Sequence, residues 1–191
     1  LNHIELIEQD GRQFIRAGAT VTLSQITEDE VGGALADGLL RRAAAGEGPQ
    51  NLRNAATVGG VVASAEYDSE FYAALLALNA GVVLHDGEQE HTVQLEDLQS
   101  VAGLITAVLI PAAAVRGGLA RVARTPADRP IVAAVVVRVA EDERVALCGV
   151  AARPVLGGVG LTPPDDYKGS AAYRLAMAEI VTQRARATIA A

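Results

Sequence analysis

The stretch that decides the fold is N-L-R-N-A-A-T-V-G-G at residues 51–60, in which a threonine and two successive glycines precede an apolar run. Glycine lets the backbone approach a ligand closely, and the Thr57 hydroxyl adds a hydrogen-bond donor. The pattern therefore predicts that Thr57, Gly59 and Gly60 turn donors toward a phosphate or pyrophosphate. The alternative interpretation is a tight turn before a buried strand, because Gly-Gly pairs are common.

Composition limits the classes of function. Of the 191 residues, 50% are hydrophobic, which suits a packed core and argues against disorder. The net charge is −7 without a basic cluster, so we expect neither nucleic acid nor an anionic membrane as partner. No apolar run reaches about 18 residues, so no membrane span is expected. The single cysteine excludes an internal disulfide or iron–sulfur cluster and favours a reducing, cytoplasmic location.

Turn signals between short apolar runs predict a mixed α+β fold. The dipeptides at 10–11 and 86–87, both Asp-Gly, lie between alternating runs and predict β-hairpins. Residues 70–78 predict a helix, and residues 104–110 predict a strand. The sequence lacks the regular strand–helix alternation of a doubly wound parallel sheet.

Two further helices are predicted from their caps. Thr27 and Glu30 have the spacing of a capping box. The apolar positions that follow at helical spacing are Val31, Ala34, Leu35 and Leu39. Ser170 is expected to cap a final helix. The predicted apolar stripe of that helix consists of Tyr173, Ala176, Met177 and Ile180.

Residues 111–118 predict a domain boundary, because they are rich in Ala, Gly and Pro and have little periodicity. After them, the β-branched run 130–139 predicts a strand buried on both faces, and 144–151 predicts a second strand. We therefore expect one domain over residues 1–113 and a second domain over residues 117–191.

Charged residues offer two candidate sites besides the glycines. An acidic group follows the glycines at Glu66, Asp68 and Glu70. Paired carboxylates can act as acid and base or bind a ribose. For Asp68 the favoured alternative is a solvated helix N-terminus. A second group precedes the buried strand at Arg121, Arg124 and Asp128. These side chains can line a ligand, but a surface charge cluster is the default interpretation.

Other reactive residue types give no site. The histidines His3, His85 and His91 stand alone, so no metal site is expected. Cys148 lies in an apolar strand and is expected to be a small buried hydrophobe. Ser64 lacks the G-x-S-x-G context of a hydrolase nucleophile. No residue is therefore predicted to be catalytic.

Seven segments in order resemble the FAD-binding subunit of the molybdenum hydroxylases, the family that includes the medium subunit of carbon monoxide dehydrogenase and the flavin domain of xanthine dehydrogenase. R-N-A-A-T-V-G-G-V-V-A at 53–63 resembles the family's R-N-x-A-T-I-G-G-N-x-A loop. E-F-Y-A-A-L-L-A-L at 70–78 resembles its D-x-x-P-A-L-L-A-L segment. The remaining matches are 16–26, 103–111, 121–134, 148–155 and 169–180.

The resemblance implies an α+β fold: part of the family's FAD-binding domain, followed by a small antiparallel-sheet-plus-helix subdomain. It implies an oxidoreductase subunit that binds FAD and relays electrons between iron–sulfur centres on a partner chain and an external acceptor. Iron–sulfur and molybdenum subunits are the implied partners. The family has an N-terminal unit with a Gly-Gly-Thr loop ahead of the part resembled here, so this sequence is expected to carry half of the diphosphate cradle. The open alternative is a degenerate relative without FAD that acts as an interaction or assembly module.

The resemblance also implies roles for individual residues. Thr57, Gly59 and Gly60 would face the FAD diphosphate. Glu70 stands where the family usually has Asp, near the adenine-side ribose or the flavin. The apolar positions implied to pack on the isoalloxazine are Leu104 and Ile105. The polar positions implied near the ring are Arg121 and Asp128.

Overall fold

An antiparallel sheet of five strands dominates the first part of the chain. The computed structural model describes residues 1–113, 115–158 and 160–190, with side chains for all of these except 31–34 and 190. The strands of this sheet are β1 (Ile4–Gln9), β2 (Arg12–Gly18), β3 (Gly81–His85), β4 (Glu90–Gln94) and β5 (Leu104–Pro111). They lie in the order β1-β2-β5-β3-β4, with every neighbouring pair antiparallel.

Both predicted hairpins are confirmed. Asp10 (φ 52°) and Gly11 (φ 72°) are left-handed and join β1 to β2, so the turn matches the twist of the strands. Between β3 and β4, the Asp86 carboxylate accepts hydrogen bonds from the backbone N–H groups of Glu88 (2.9 Å) and Gln89 (3.0 Å). These bonds explain why Asp precedes Gly at this second turn.

The helices between β2 and β3 are α1 (Leu23–Glu28), α2 (Glu30–Gly46), α3 (Gln50–Arg53), α4 (Val58–Ser64) and α5 (Glu70–Ala77). The predicted capping box at Thr27 and Glu30 is wrong. The capping box lies one turn earlier, where Thr22 accepts from Gln25 N at 3.2 Å and donates its own N–H to Gln25 Oε1 at 2.8 Å. The predicted apolar positions 31 and 34 lie outside the described side chains.

A second antiparallel sheet follows, with the strands in chain order. Its strands are β6 (Arg116–Val122), β7 (Val132–Val139), β8 (Asp142–Cys148) and β9 (Val155–Leu156). The helix α6 (Ala171–Ala190) packs on β6 and β7. The predicted α+β class and the two predicted strands of this sheet are therefore confirmed.

The buried face of α6 differs from the predicted stripe. Tyr173 and Ile180 are 39% and 37% exposed, whereas the helix buries Arg174, Ala178, Val181, Ala185 and Ile189. The buried Arg174 lies on the inward face of the helix, and the predicted stripe did not include it. None of the helices in the described ranges, α6 included, is both long enough and apolar enough to cross a membrane.

The helix α5 lies between α2 and the second sheet. All eight of its residues are buried, and it packs on α2 on one side and on β7 and β8 on the other. One hydrophobic core therefore extends from Ile15 in β2 to Val135 in β7 and Cys148 in β8. The break between the sheets falls close to the predicted boundary, but the division into domains 1–113 and 117–191 stays a prediction.

Candidate functional site

Residues 57–60 form the start of a helix, so the alternative interpretation of a turn before a strand is wrong. Thr57 is the N-cap of α4, with extended backbone angles (φ −112°, ψ 157°). Its Oγ1 accepts a hydrogen bond from Gly60 N at 3.1 Å. Threonine suits this position because its side chain satisfies an N–H group that the first helical turn leaves free.

The N–H groups at this turn are bonded within the chain. Val58 N donates to Val21 O at 2.9 Å, and Gly59 N donates to Ala19 O at 2.9 Å. With Gly60 N bonded to Thr57, the N–H groups of residues 58–60 all have protein acceptors. They therefore do not fit a cradle of free amides for a diphosphate, which corrects that part of the sequence interpretation.

A side chain would meet different surroundings at Gly59 and at Gly60. A Cβ on Gly59 would lie 2.8 Å from Ala19 Cβ and 3.0 Å from Ala19 O, so Gly59 allows α4 to approach the end of β2. A Cβ on Gly60 would meet only Thr57 Oγ1, at 3.0 Å, and Gly60 is exposed. Bare backbone thus faces outward at Gly60. Beside it, the Thr57 hydroxyl keeps a hydrogen to donate, since its described bond uses it as acceptor.

Glu70 meets Arg121 and Asp128 in the structure, although it lies 51 residues before Arg121 in the sequence. Glu70 Oε2 accepts from Arg121 Nη1 at 3.2 Å, and Arg121 Nη2 donates to the backbone carbonyl of Asp128. The Glu70 side chain is 0% exposed and its Oε1 is buried without a hydrogen-bond partner. Burial, with the neighbouring carboxylates, outweighs the guanidinium groups and raises the pKa of Glu70 to about 7. This enclosed position does not suit direct contact with a dinucleotide.

Asp68 is buried and paired, so the solvated interpretation of this residue is wrong. Its Oδ1 accepts from Arg129 Nη1 at 3.0 Å, and its Oδ2 accepts from Lys168 Nζ at 2.6 Å. Arg129 Nη2 also donates to Glu47 Oε2 at 2.7 Å. Glu47, which the sequence interpretation missed, is 5% exposed and accepts a hydrogen bond from Ser69 Oγ at 2.6 Å.

A second charged group at the start of α6 was also missed. Arg174 is 0% exposed and donates to Asp166 Oδ1 at 2.7 Å and to the carbonyls of Ile131 and Gly149. The Tyr67 hydroxyl donates to Asp166 Oδ2 at 3.0 Å. The sequence contained one signal that singles out this part of the chain. Lys168 is the only lysine, and all the other Lys/Arg positions are arginines.

The remaining predicted residues are divided between core and surface. Ile105 is 7% exposed and belongs to the core, whereas Leu104 is 61% exposed at the start of β5. The side chains of Leu104 and Ile105 are not placed to pack on one ring, because adjacent residues of a strand face opposite sides of the sheet. Arg124 pairs with Asp128 at 3.6 Å on the surface, as the default interpretation predicted, and lies 5.4 Å from the ring of Tyr167.

Other features of the described residues do not single out a reactive site. Within the described ranges, no three His, Cys, Asp or Glu side chains are grouped as a metal site requires. Cys148 is buried, and burial raises the pKa of its thiol well above the ordinary value. A surface hollow of about 600 Å³ is bordered by Phe14, Asn79 and Val139, among other residues. None of its lining residues was predicted to bind a ligand.

Solved structures of similar fold are known at low sequence identity. Carbon monoxide dehydrogenase from Oligotropha carboxidovorans matches with a TM-score of 0.88 at 20% identity, over 99% of this chain and 78% of that chain. Quinoline 2-oxidoreductase from Pseudomonas putida 86 matches with a TM-score of 0.83 at 22% identity, over 97% of this chain and 77% of that chain. Carbon monoxide dehydrogenase from Hydrogenophaga pseudoflava gives 0.86 at 21% identity, over 98% and 77%. At these identities the likeness shows the fold alone.

The sequence comparisons agree with the fold. No curated protein matches the chain. The family described as the FAD binding domain in molybdopterin dehydrogenase matches residues 1–113, which include the five-stranded sheet and α1 to α5. The match covers more than half of the chain and confirms the predicted resemblance. The chain therefore belongs to the family of the FAD-binding domain in molybdopterin dehydrogenases.

Proposed function

We propose that this chain supplies one wall of an FAD site in a molybdenum-hydroxylase-type oxidoreductase. Membership of the FAD-binding family supports the cofactor. The observation that carries the proposal is the first turn of α4, where Gly60 presents exposed backbone beside the Thr57 hydroxyl. A diphosphate oxygen accepts a hydrogen bond from this hydroxyl, and no side chain at residue 60 obstructs its approach.

The proposed wall combines the first turn of α4 with the start of β5, the central strand of the first sheet. Thr57 and Gly60 contact the diphosphate, while Gly59 holds the turn against Ala19. The exposed side chain of Leu104 is available to a flat ring, and Ile105 anchors the same strand in the core. Glu70, Arg121 and Asp128 act on the site through the packing between the sheets, because Glu70 is fully enclosed.

If FAD is bound, its isoalloxazine would supply the redox chemistry, while Thr57, Gly60 and Leu104 would hold and orient the cofactor without a general acid or base. We propose that electrons pass between this flavin and iron–sulfur centres on a partner chain, in a cytoplasmic complex with a molybdenum subunit. Cys148 is buried and is the single cysteine of this sequence, whereas an iron–sulfur cluster needs about four cysteine ligands, so this domain is not proposed to hold one. The carbon monoxide dehydrogenase and quinoline 2-oxidoreductase structures of the same fold support this assignment.

One observation favours a second candidate function. The N–H groups of residues 58–60 are all bonded within the chain, and Glu70 is enclosed. A relative that has lost FAD and serves as an interaction or assembly module needs no free donors there. The two candidates differ in one property, which is the retention of flavin.

To test the proposal, the purified chain is incubated with excess FAD, and unbound flavin is removed by gel filtration. The absorption spectrum of the protein fraction then shows whether flavin is retained. Riboflavin is the matched control, since it has the same ring without phosphate. The proposal expects retention of FAD and not of riboflavin. Retention of neither flavin, by the chain alone or with its iron–sulfur and molybdenum partners, would establish the second candidate instead.

A further inference from the structure

We propose that Glu70 and Arg121 form a proton-operated latch between α5 and the second sheet, which we call the buried latch. Glu70 is the first residue of α5, and Arg121 lies in β6. The ion pair therefore joins α5 to the edge strand of the second sheet. This inference does not depend on FAD binding.

The Glu70 carboxyl is poorly suited to a permanent charge. Its side chain is 0% exposed, its Oε2 has Arg121 as partner, and its Oε1 is buried with no partner. An ionised carboxylate has about four acceptor positions, and each one left unsatisfied in a buried site raises the free energy of the charged form. Protonation removes this charge, and the neutral carboxyl needs fewer hydrogen-bond partners in the buried site.

Arg121 keeps a hydrogen-bond partner whether Glu70 is ionised or protonated. Its Nη1 donates to Glu70, and its Nη2 donates to the backbone carbonyl of Asp128. When Glu70 binds a proton, Arg121 keeps the carbonyl and its partly exposed end, which is 23% accessible to solvent. The latch can therefore open without leaving a buried cation unpaired, which is the property that a switch requires.

The backbone of Gly46 fixes the carboxyl from the other side. A Cβ on Gly46 would lie 1.7 Å from Glu70 Oε2 and 3.1 Å from Arg121 Nη1. The end of α2 thus closes directly over the ion pair. Any movement of the pair on protonation is transmitted to this end of α2.

Several charged or titratable groups from the surrounding elements act on Glu70. They are Arg121 in β6, Glu47 after α2, Asp68 before α5, Arg129 before β7 and Cys148 at the end of β8. Arg129 is bound by both Glu47 (2.7 Å) and Asp68 (3.0 Å), so its charge is already balanced. Burial and the two carboxylates oppose ionisation, and the pKa of Glu70 is raised to about 7.

The latch makes a specific prediction about coupling between two residues. Above the pKa, Glu70 is ionised and interacts with Arg121, so substitutions of the two residues are not additive. Below the pKa, Glu70 is neutral and the ionic coupling disappears. The cost of burying the charge can still make the ionised protein less stable overall, which is a separate effect.

The test is a double-mutant cycle with Glu70→Gln and Arg121→Met, measured as urea midpoints at about pH 5.5 and about pH 8.5, on either side of the pKa of about 7. We expect non-additivity at the higher pH and additivity at the lower. The control is the exposed pair Arg116 and Asp37, 3.4 Å apart and 59% and 52% exposed, substituted as Arg116→Met and Asp37→Asn. Its coupling should be equal at both pH values. Equal coupling of the buried pair at both pH values would overturn the proposal.

A measurement on the unmutated chain covers variants that fail to fold. Glutamate labelled with ¹³C at the side-chain carboxyl is titrated by NMR in the folded protein. We expect one carboxyl resonance with a midpoint close to the value of about 7. Titration of every glutamate in the ordinary range, at about pH 4 to 5, would also overturn the proposal.

Discussion

Gly46 lies against Glu70 so closely that a Cβ on Gly46 would fall 1.7 Å from Glu70 Oε2. The end of α2 can pack over the start of α5 because residue 46 has no side chain. The carboxylate in turn reaches Arg121 from this position, at 3.2 Å. One glycine thus allows two helices and the second sheet to meet around a buried ion pair.

Gly46→Ala should therefore destabilise the protein, although alanine is the better helix former. Overpacking of a filled core costs about 1–3 kcal/mol, which exceeds the gain in helix propensity of about 1 kcal/mol. Urea unfolding measures the change. Gly158→Ala is the matched control, because no atom lies within 4 Å of a Cβ at Gly158. Equal stability of Gly46→Ala and the unmutated protein would contradict the described packing.

Glu70 should make stability fall as the pH rises. Its pKa is raised from 4.5 to about 7 on folding, so between these values the folded protein binds more protons than the unfolded chain. The free energy of unfolding therefore decreases through this window, by about 3 kcal/mol in total, and levels off above it. Glu70→Gln should lack this decrease. A stability difference between the two proteins that does not change with pH would refute the assignment.

Gly59→Ala should lower the stability of the protein much more than Gly60→Ala. At Gly59 the new methyl group meets Ala19 Cβ at 2.8 Å, so a loss of about 1–3 kcal/mol is expected. At the exposed Gly60 the same change meets Thr57 Oγ1 at 3.0 Å and adds helix propensity, so the net effect should be small or stabilising. Thermal unfolding of both variants checks the order. A larger loss at Gly60 would mean that the turn is packed differently.

Arg174→Met should be severely destabilising. The change leaves the carbonyls of Ile131 and Gly149 and the carboxylate of Asp166 without their guanidinium donor. Removing one partner of a buried ion pair costs about 3–5 kcal/mol. Arg186→Met is the control, because its pair with Glu143 is 45% exposed on the arginine side and should contribute less than about 1 kcal/mol. Similar losses in the two variants, measured by urea unfolding, would be inconsistent with this account.

Local signals in the sequence were sufficient for the hairpins and for α5. Asp-Gly at 10–11 predicts its turn because the backbone angles are set by those two residues. The overall fold was predicted from the resemblance to the family, because a single glycine pair does not specify a fold. The predicted stripe of α6 was wrong because the helix turns Arg174 inward, toward acceptors in loops that are distant in sequence.

The partners of the buried charged residues could be identified only from the three-dimensional structure. Asp68 finds its partners Arg129 and Lys168 at sequence separations of 61 and 100 residues, and no local pattern encodes such pairs. The role of Gly59 was also ambiguous, because a close approach to Ala19 and a close approach to a ligand both require glycine. Glycine spacing therefore located the turn correctly without stating what lies against it.

A comparison of Gly60→Asp with Gly60→Asn probes the proposed position of FAD against the first turn of α4. The two side chains have the same shape, and both suit the start of a helix, but only Asp carries a charge that repels a diphosphate. Flavin fluorescence titration measures FAD affinity for each variant and for the unmutated chain. We predict saturable binding that Gly60→Asp weakens about tenfold more than Gly60→Asn, equivalent to about 1.4 kcal/mol. Equal affinities of the two variants, or no binding by the unmutated chain either alone or together with its proposed partner chains, would show that FAD does not lie at this turn.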